Sequence, residues 1–286
     1  MTPIGYRTDA SLSRRPGMSP PPGAAFCAER AACPTCRINP AAMWQSAVMQ
    51  LDLDRFDALT FDCYGTLIDW ETGILAASRD LLGAHGVEVD TDATLESFAR
   101  HERRLEAGPY LSYREVLIGV ARAICEEHDI RAGDEGLAAF GASVGDWPAF
   151  PDSADALARL GSRYRLGVIT NCDDDLFAAS ARHLGTAFDA VVTAQPVGSY
   201  KPSRRNLEAM VERLGLPTTR ILHVAQSLFH DHVPARQLGL ATVWVDRRSG
   251  RAGNGATPPA QATPDLTVPD MATLAELATH SRGVAG

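Results

Sequence analysis

Short apolar runs recur along the chain at intervals that predict alternating strands and helices. Runs with the length and β-branched content of buried strands lie at 57–62, 165–170, 188–193, 220–225 and 241–246. Amphipathic segments with helical spacing lie at 152–162, 174–184, 203–214 and 231–239, and a short strand–helix unit ends near His280. Because buried strands that alternate with helices form parallel sheets, we predict an α/β fold with a Rossmann-like, doubly wound parallel sheet.

Residues 71–148 interrupt this alternation with a long stretch that has helical spacing and no convincing strand. Leu75, Leu95 and Val116 each start an apolar series with the spacing of one helix face. We interpret 73–148 as an α-helical cap inserted into a core that comprises 49–72 and 149–286. The proline-containing segment that follows Trp147 is predicted to close the cap as a stiff linker.

Residues 1–48 are rich in proline, glycine, alanine and serine and lack apolar periodicity. This composition predicts a disordered N-terminal extension, and Met43 or Met49 is a hypothetical natural start. Cys33 and Cys36 form a CxxC pair within the extension. The pair is open to two interpretations, a zinc or redox site and an accidental pair, because no fourth ligand pattern accompanies it.

The composition narrows the classes of function. The chain has 286 residues, 45% apolar and 22% charged, which suffices for one large domain or for a core with an insertion. A net charge of −8 argues against nucleic acid as a partner, and no apolar run is long enough to cross a membrane. Without a secretory signal pattern, and with Cys63, Cys125 and Cys172 in or beside apolar elements, we expect a cytoplasmic protein with reduced thiols.

Residues with useful chemistry follow the predicted strands. Asp62 ends the first run, Thr170 and Asn171 end the second, Lys201 precedes a predicted helix, and Asp231 follows the fourth run. In a parallel sheet such ends meet along one edge, where ligands bind. Each signal is weak alone, since a threonine or an aspartate after a strand commonly caps the next helix. Asp62 is a candidate nucleophile, because a carboxylate held there can form an ester with a substrate.

In this order, with a helical stretch between the first two, these signals resemble the haloacid dehalogenase superfamily. The resemblance covers about 55–280 and implies a Rossmann-like core with a helical cap over the catalytic edge. It implies that Asp62 is the nucleophile and that Thr170 belongs to the second motif. Lys201, as the third motif, would keep Asp62 ionised and bind the substrate carboxylate. Asp231, in the fourth, would hold Lys201 or polarise the attacking water.

Two positions separate the branches of that superfamily. Its phosphatases carry a second aspartate two residues after the nucleophile, where this chain has Tyr64, and a Gly-Asp pair where it has Ala225-Gln226. The stretch from Asp62 to Leu67 is similar to the L-2-haloacid dehalogenases, which work without metal. We therefore expect a small 2-haloacid to be converted to a 2-hydroxy acid through an aspartyl ester on Asp62, with no cofactor. The alternatives are a Mg²⁺-dependent phosphatase of a small phosphorylated metabolite and a non-catalytic binding member of the fold.

The resemblance also implies side chains that bind the substrate or the departing halide. The core candidates are Tyr64, Asn171, Ser227 and His230, and Thr170 with Asn171 would supply hydrogen bonds to Asp62, the substrate or the halide. His230 has three alternative roles, as a base, as a hydrogen-bond donor to the halide or as a structural contact.

The cap is expected to supply a halide-binding arginine. Arg100 is the candidate, with Arg103 and Arg104 close by. The alternative is that this run of charges is a solvated helix face. A homodimer is expected from the resemblance alone.

Overall fold

The computed structural model of the chain describes residues 51–251 and 255–280. Its centre is a parallel sheet of six strands in the order β3-β2-β1-β4-β5-β6. The strands are β1 Ala58–Phe61, β2 Arg165–Thr170, β3 Ala190–Thr193, β4 Ile221–Ala225, β5 Ala241–Val245 and β6 Leu266–Val268. This architecture confirms the predicted Rossmann-like α/β fold.

Strand β1 occupies the middle of the sheet. Ala58 is in register with Arg165 of β2 on one side and with Ile221 of β4 on the other. All four residues of β1 are buried, because helices cover both faces of the sheet. The residue that follows β1 therefore lies at the centre of the carboxyl edge, between the ends of β2 and β4.

Ten helices surround the sheet in the described residues. They are α1 Trp70–Gly83, α2 Thr91–Glu106, α3 Tyr113–Glu127, α4 Asp134–Ala142, α5 Ser153–Gly161, α6 Asp174–Leu184, α7 Ala194–Val197, α8 Arg204–Leu214, α9 Val233–Gln237 and α10 Met271–His280. Successive residues of β1 point to opposite faces. Ala58 packs in a cluster with Leu207 and Met210 of α8, whereas Leu59 belongs to the larger cluster that continues through α5 and α10.

Helices α1 to α5 lie between β1 and β2, and no strand of the sheet comes from this interval, all of which is described. The chain leaves the sheet at Asp69 and returns at Pro148, whose carbonyl accepts a 2.8 Å hydrogen bond from the Asp69 amide. Trp147 packs directly against Gly73 of α1, where a Cβ atom would lie 2.2 Å from the indole ring. The exact division into core and cap stays a prediction.

The helix predicted at 231–239 begins earlier than expected. A π-helical turn covers Leu228–His232 and runs into α9, which has Pro234 in its first turn. Proline lacks an amide hydrogen, so it is tolerated at a helix start and not in the interior. The π turn brings His230 and Asp231 to the carboxyl edge of the sheet.

The extension 1–48, with Cys33 and Cys36, lies outside the described residues. Cys63, Cys125 and Cys172 are buried free thiols. Among the helices of 51–251 and 255–280, none is long and apolar enough to cross a membrane.

Candidate active site

The loop after β1 fixes the carboxylate of Asp62. The Asp62 amide donates a 3.1 Å hydrogen bond to the Val224 carbonyl of the neighbouring strand. Gly65 then turns the chain with a φ of 89°, a conformation that favours glycine. The turn places the Thr66 hydroxyl so that it donates to Asp62 Oδ2 at 2.6 Å, while Thr66 Oγ1 accepts from the Gln226 amide at 2.9 Å.

Lys201, the only lysine of the sequence, holds the other oxygen of this carboxylate. Its Nζ donates to Asp62 Oδ1 at 2.7 Å, to Asp231 Oδ1 at 2.8 Å and to the Ile169 carbonyl at 3.1 Å. An ammonium group has three protons, so all its donors are used within the protein. The prediction that Lys201 also binds a substrate carboxylate is not supported by this arrangement, although Asp231 holds Lys201 as expected.

Burial and charge set the ionisation of these three groups. Burial raises the pKa of Asp62, and the Lys201 ammonium opposes that rise. Burial disfavours the charged form of Lys201, but the Asp231 and Asp62 carboxylates outweigh it and raise the pKa of the lysine. Burial also opposes ionisation of Asp231, yet the charge of Lys201 and a hydrogen bond from His223 lower its pKa. The Lys201 ammonium is therefore the charge in the cluster that favours the ionised form of both aspartates.

His223 supports Asp231 from within the sheet. Its Nε2 lies 3.0 Å from Asp231 Oδ1 and its Nδ1 lies 2.9 Å from the Thr60 hydroxyl, all fully buried. Sequence analysis missed this residue, although a histidine in the apolar strand Ile221–Ala225 was a visible signal. Asp231 Oδ2 has no hydrogen-bond partner among the described residues and remains available to a water or substrate.

Neither Thr170 nor Asn171 hydrogen-bonds Asp62 in the described part of the chain, and their expected bonds to a substrate or a halide stay predictions. The Thr170 hydroxyl is buried beside the cavity without a partner in the described part of the chain, and Thr66 instead of Thr170 holds Asp62. Asn171 anchors the third motif, because its Oδ1 accepts from the Lys201 amide at 2.7 Å and its Nδ2 donates to the Lys201 carbonyl at 3.0 Å.

Tyr64, Ser227 and His230 complete the core side of the cavity. The Tyr64 hydroxyl lies 3.0 Å from Ser180 Oγ and 3.3 Å from Cys172 Sγ, so its polar end is used away from Asp62. Ser227 Oγ and His230 Nδ1 share a 3.2 Å hydrogen bond. Burial lowers the pKa of His230 to about 4, which keeps its imidazole neutral at physiological pH.

The cap contributes two acids to this cavity that sequence analysis missed. Glu102 and Glu106 lie four residues apart on α2 and line it together with Tyr113 of α3. Tyr113 donates a 2.7 Å hydrogen bond to Glu102, and Glu106 approaches Asn171 Nδ2 at 3.3 Å. Burial raises the pKa of Glu102 to about 7, and burial with the neighbouring charge of Glu102 raises that of Glu106 well above its usual range.

The cavity above Asp62 has a volume of about 30 Å³. A single water needs roughly 10–15 Å³ by the same measure, so the space suits a small substrate. It is lined by Asp62, Tyr64, Trp70, Glu102, Glu106, Tyr113, Thr170, Asn171, Lys201, Gln226, Ser227, His230, Asp231 and Thr257.

Comparisons with known proteins identify the family to which the chain belongs. The family model described as "haloacid dehalogenase-like hydrolase" matches residues 56–228. The chain belongs to the haloacid dehalogenase-like hydrolase family. It is a hydrolase by that membership, as the resemblance predicted.

Individual relatives of this family are distant. An (S)-2-haloacid dehalogenase of Pseudomonas sp. (strain YL) is 26% identical over 82% of this chain and 99% of its own length. The 5-amino-6-(5-phospho-D-ribitylamino)uracil phosphatase of Escherichia coli (strain K12) is 29% identical over 69% of this chain and 87% of its own. A solved L-2-haloacid dehalogenase of Xanthobacter autotrophicus with chloropropionic acid covalently bound has a TM-score of 0.65. That structure is 21% identical and covers 80% of this chain and 100% of its own, so the likeness shows the shared fold.

The phosphatase alternative within the haloacid dehalogenase-like family implies a Mg²⁺ site, and the residues present do not fit one. Tyr64 replaces an acid, and the Gln226 side chain accepts a 3.0 Å hydrogen bond from Thr257. Mg²⁺ requires clustered oxygen ligands. Across residues 51–251 and 255–280, no group of three or more histidine, cysteine or acidic side chains is arranged to hold a metal ion.

Arg100, the expected halide-binding residue of the cap, does not line the cavity of this haloacid dehalogenase-like chain. Its side chain is 58% exposed and donates a 2.5 Å hydrogen bond to Glu127 of α3. Arg103 lies over the Phe229 ring at 5.4 Å, also outside the cavity lining. The reason is helical geometry, because Glu102 and Glu106 occupy the face of α2 that looks toward Asp62.

Proposed function

We propose that the chain is a hydrolytic dehalogenase that acts on a small 2-haloacid, or a close derivative of one, and yields the 2-hydroxy product. The observation that carries the proposal is a single nucleophile held by Lys201 and Thr66, with Tyr64 where a phosphatase places its proton-donating acid. Halide leaves as an anion and needs no proton, so a tyrosine at that position is compatible with dehalogenation. The names of the relatives and the covalently bound chloropropionic acid in one neighbour support the proposal.

In the first step a carboxylate oxygen of Asp62 attacks the carbon that bears the halogen. The new carbon–oxygen bond forms as the carbon–halogen bond breaks, and the halide leaves with the bonding electrons. Lys201 and Thr66 hold the carboxylate in position for this attack. This positioning lowers the entropic part of the activation barrier, because the reacting groups no longer have to be oriented by a random encounter.

In the second step water attacks the ester carbonyl of Asp62. The bond between this carbonyl carbon and the ester oxygen breaks, and the 2-hydroxy product leaves with the oxygen that Asp62 originally supplied. In this proposal Asp231 Oδ2, buried and without a partner among the described residues, orients the water, and neutral His230, which lines the cavity, accepts one of its protons. The second proton of the water passes to the departing alkoxide, which leaves as the hydroxyl group of the product. Loss of the first proton from His230 to solvent then restores the enzyme with Asp62 as a carboxylate.

The mechanism proceeds without a metal or organic cofactor. A cytoplasmic location and a homodimer stay predictions from composition and resemblance. The phosphatase alternative keeps some support from the 29% identical relative, and it predicts a requirement for Mg²⁺ that the donor set does not favour.

A single-turnover experiment in heavy-oxygen water tests the proposal. With enzyme in excess over 2-chloropropionate or 2-chloropropionamide, the first product is expected to carry ordinary oxygen, and the label is expected on the peptide that contains Asp62. EDTA is expected to leave the rate of halide release unchanged. The Asp62→Asn variant should release no halide. Its matched control, Asp57→Asn, removes an exposed carboxylate at the opposite end of β1 and should remain active.

Two results would contradict the proposal. Labelled oxygen in the first-turnover product means that water attacks the substrate directly. Phosphate release from phosphoesters that is abolished by EDTA and restored by Mg²⁺, with no halide release from either substrate, selects the phosphatase alternative.

A further inference from the structure

The aspartate at the start of α6 serves a different helix. Asp173 occupies the N-cap position of α6, where a side chain commonly accepts a hydrogen bond from the first turn of its own helix, but its side chain makes no such bond. Its carboxylate instead accepts from the Tyr113 amide at 2.9 Å and from the Arg114 amide at 3.0 Å. Asp173 is 3% exposed. A buried carboxylate next to the catalytic edge therefore holds the N-terminus of α3, one of the inserted helices.

The first turn of α3 depends on this carboxylate. The first amides of a helix have no acceptor within the helix and need one from outside it. Ser112 Oγ accepts from the Glu115 amide at 3.3 Å, whereas the Tyr113 and Arg114 amides have Asp173 as their acceptor. Tyr113 is buried, and a buried donor that loses its acceptor is costly. Removal of the Asp173 carboxylate would therefore favour a shift of this turn toward water.

Two further contacts tie the turn between α2 and α3 to the core. Tyr200, directly before Lys201, donates a 2.8 Å hydrogen bond to the Leu111 carbonyl and stacks on the Tyr110 ring at 5.3 Å. Arg114 also pairs with Asp175 of α6 at 2.7 Å, but that carboxylate is 70% exposed. Exposed ion pairs contribute little to stability, so the buried contacts carry the attachment.

The same contacts bear on the cavity above Asp62. The Tyr113 side chain lines the cavity and donates its hydroxyl hydrogen to Glu102 at 2.7 Å, which orders a second lining residue. Asn171, two residues before Asp173, holds the backbone of Lys201 at both its amide and its carbonyl. One short segment after β2 thus fixes the catalytic lysine and the first turn of α3. Because the cavity measures only about 30 Å³, a displacement of Tyr113 changes the size of substrate that fits.

We propose that Asp173 is a positioning residue that fixes α3 against the catalytic edge and thereby limits the substrate to a small 2-haloacid. The inference rests on the proposed function and adds to it the structural cause of size selectivity. Without the carboxylate, the two amides turn to water, the start of α3 moves, and the Tyr113 ring no longer narrows the cavity. Asp62 keeps its hydrogen bonds from Lys201 and Thr66, which belong to the core, so the chemical step persists.

The test compares halide release from racemic 2-chloropropionate and racemic 2-chlorohexanoate, whose chains differ by three methylene groups. The full chain is assayed as wild type, Asp173→Ala, Asp173→Asn and Asp175→Asn. Asp175 is the matched control, an exposed aspartate of α6 that contacts the same helix through its side chain. The wild type is expected to prefer the short acid at least fiftyfold in kcat/KM.

Asp173→Ala is expected to lower that preference at least tenfold. For 2-chloropropionate it should raise KM at least fivefold and leave kcat within threefold of the wild type. Asp173→Asn keeps one acceptor oxygen and should lie between the two, and Asp175→Asn should stay within twofold of the wild type. Amide hydrogen exchange of Tyr113 and Arg114, followed by NMR, should be at least tenfold faster in Asp173→Ala, with the amides of β2 unchanged. If Asp173→Ala does not fold, Asp173→Asn decides by the direction of the same changes.

Three results overturn the inference while leaving the dehalogenase proposal in place. They are a wild type that accepts both acids equally, a preference that Asp173→Ala changes by less than twofold, and an equal loss of kcat on both substrates. Absence of halide from both substrates instead refutes the dehalogenase proposal. In that case calorimetric binding of lactate and 2-hydroxyhexanoate decides the inference, since only Asp173→Ala should bind the longer acid as tightly as the shorter one, and an unchanged preference overturns it.

Discussion

Replacing Lys201 with methionine tests the central ion pair of the site. Methionine keeps most of the unbranched apolar stem of the side chain but leaves the Asp62 and Asp231 carboxylates buried without their cation. Removing one partner of a buried pair typically costs about 3–5 kcal/mol, and Lys201, only 2% exposed, is screened little by solvent. We expect a loss of this size in the free energy of unfolding at pH 7.5.

The loss should shrink in acid, because without Lys201 the pKa values of the two aspartates rise above their unfolded values. Stability from such groups is present at low pH and is lost as pH rises through the folded pKa. Urea unfolding followed by circular dichroism at pH 7.5 and pH 5 measures both effects. The Lys201→Met variant should also lose dehalogenase activity, because the Asp62 carboxyl group would then carry a proton and could not attack carbon.

A double-mutant cycle separates the charge effect from lost packing. Adding Asp231→Asn to Lys201→Met removes the repulsion between the two carboxylates, so the double variant should recover about 1–3 kcal/mol relative to the sum of the single losses. Strict additivity, or a Lys201→Met loss below about 1 kcal/mol, would refute the reasoning that these charges stabilise one another.

Three further outcomes follow from the structure. Glu102→Gln should gain roughly 3 kcal/mol of stability relative to the wild type as pH rises from 4.5 to about 7, because burial raises the folded pKa of Glu102 to about 7 and the wild type loses stability over this interval, whereas the difference stays constant at higher pH. Gly73→Ala should lose about 1–3 kcal/mol against the ring of Trp147, whereas Gly83→Ala, with open space at its Cβ, should be neutral or gain up to about 1 kcal/mol. Thr66→Val should lower kcat at least tenfold through loss of its hydrogen bond to Asp62, and Thr66→Ser should restore it.

Each of these three predictions has an outcome that would contradict it. A pH-independent stability difference for Glu102→Gln would mean that this acid is not perturbed by burial. Equal melting temperatures for the two glycine variants would show that α1 does not pack tightly on Trp147. An active Thr66→Val enzyme would mean that the threonine is not needed to fix Asp62.

The fold and the central residues were accessible from the sequence because strong local patterns encode them. Buried strands leave continuous apolar runs, and all five long runs became strands within two residues of their predicted limits. Asp62, Thr170, Lys201 and Asp231 were found because a parallel sheet gathers the ends of its strands at one edge. The structure brings these four side chains to one cavity, and their catalytic roles stay predictions.

The cap side of the cavity was not accessible from the sequence, for a geometric reason. The run from Arg100 to Glu106 mixes basic and acidic residues, and only the packing of α2 on α3 decides which of them face the core. The sequence pattern favoured Arg100 as the residue that faces the cavity. In the structure Arg100 pairs with Glu127 on the outside, and Glu102 pairs with Tyr113, so the acids of α2 face the cavity instead. Thr66 and His223 were missed because their roles depend on hydrogen bonds between distant segments.

The position of β1 also bears on how the protein is made. Ala58 pairs with Arg165 and with Ile221, so the first strand to emerge from the ribosome has no partner until all of α1 to α4 has been synthesised. Those helices pack on one another through contacts of shorter sequence separation, which form faster than distant strand pairs. We expect the inserted helices to acquire structure first and to hold the ends of β1 and β2 close, since Asp69 already bonds to Pro148. In nascent chains the insertion would thus act as a folding template for the sheet into which it is inserted.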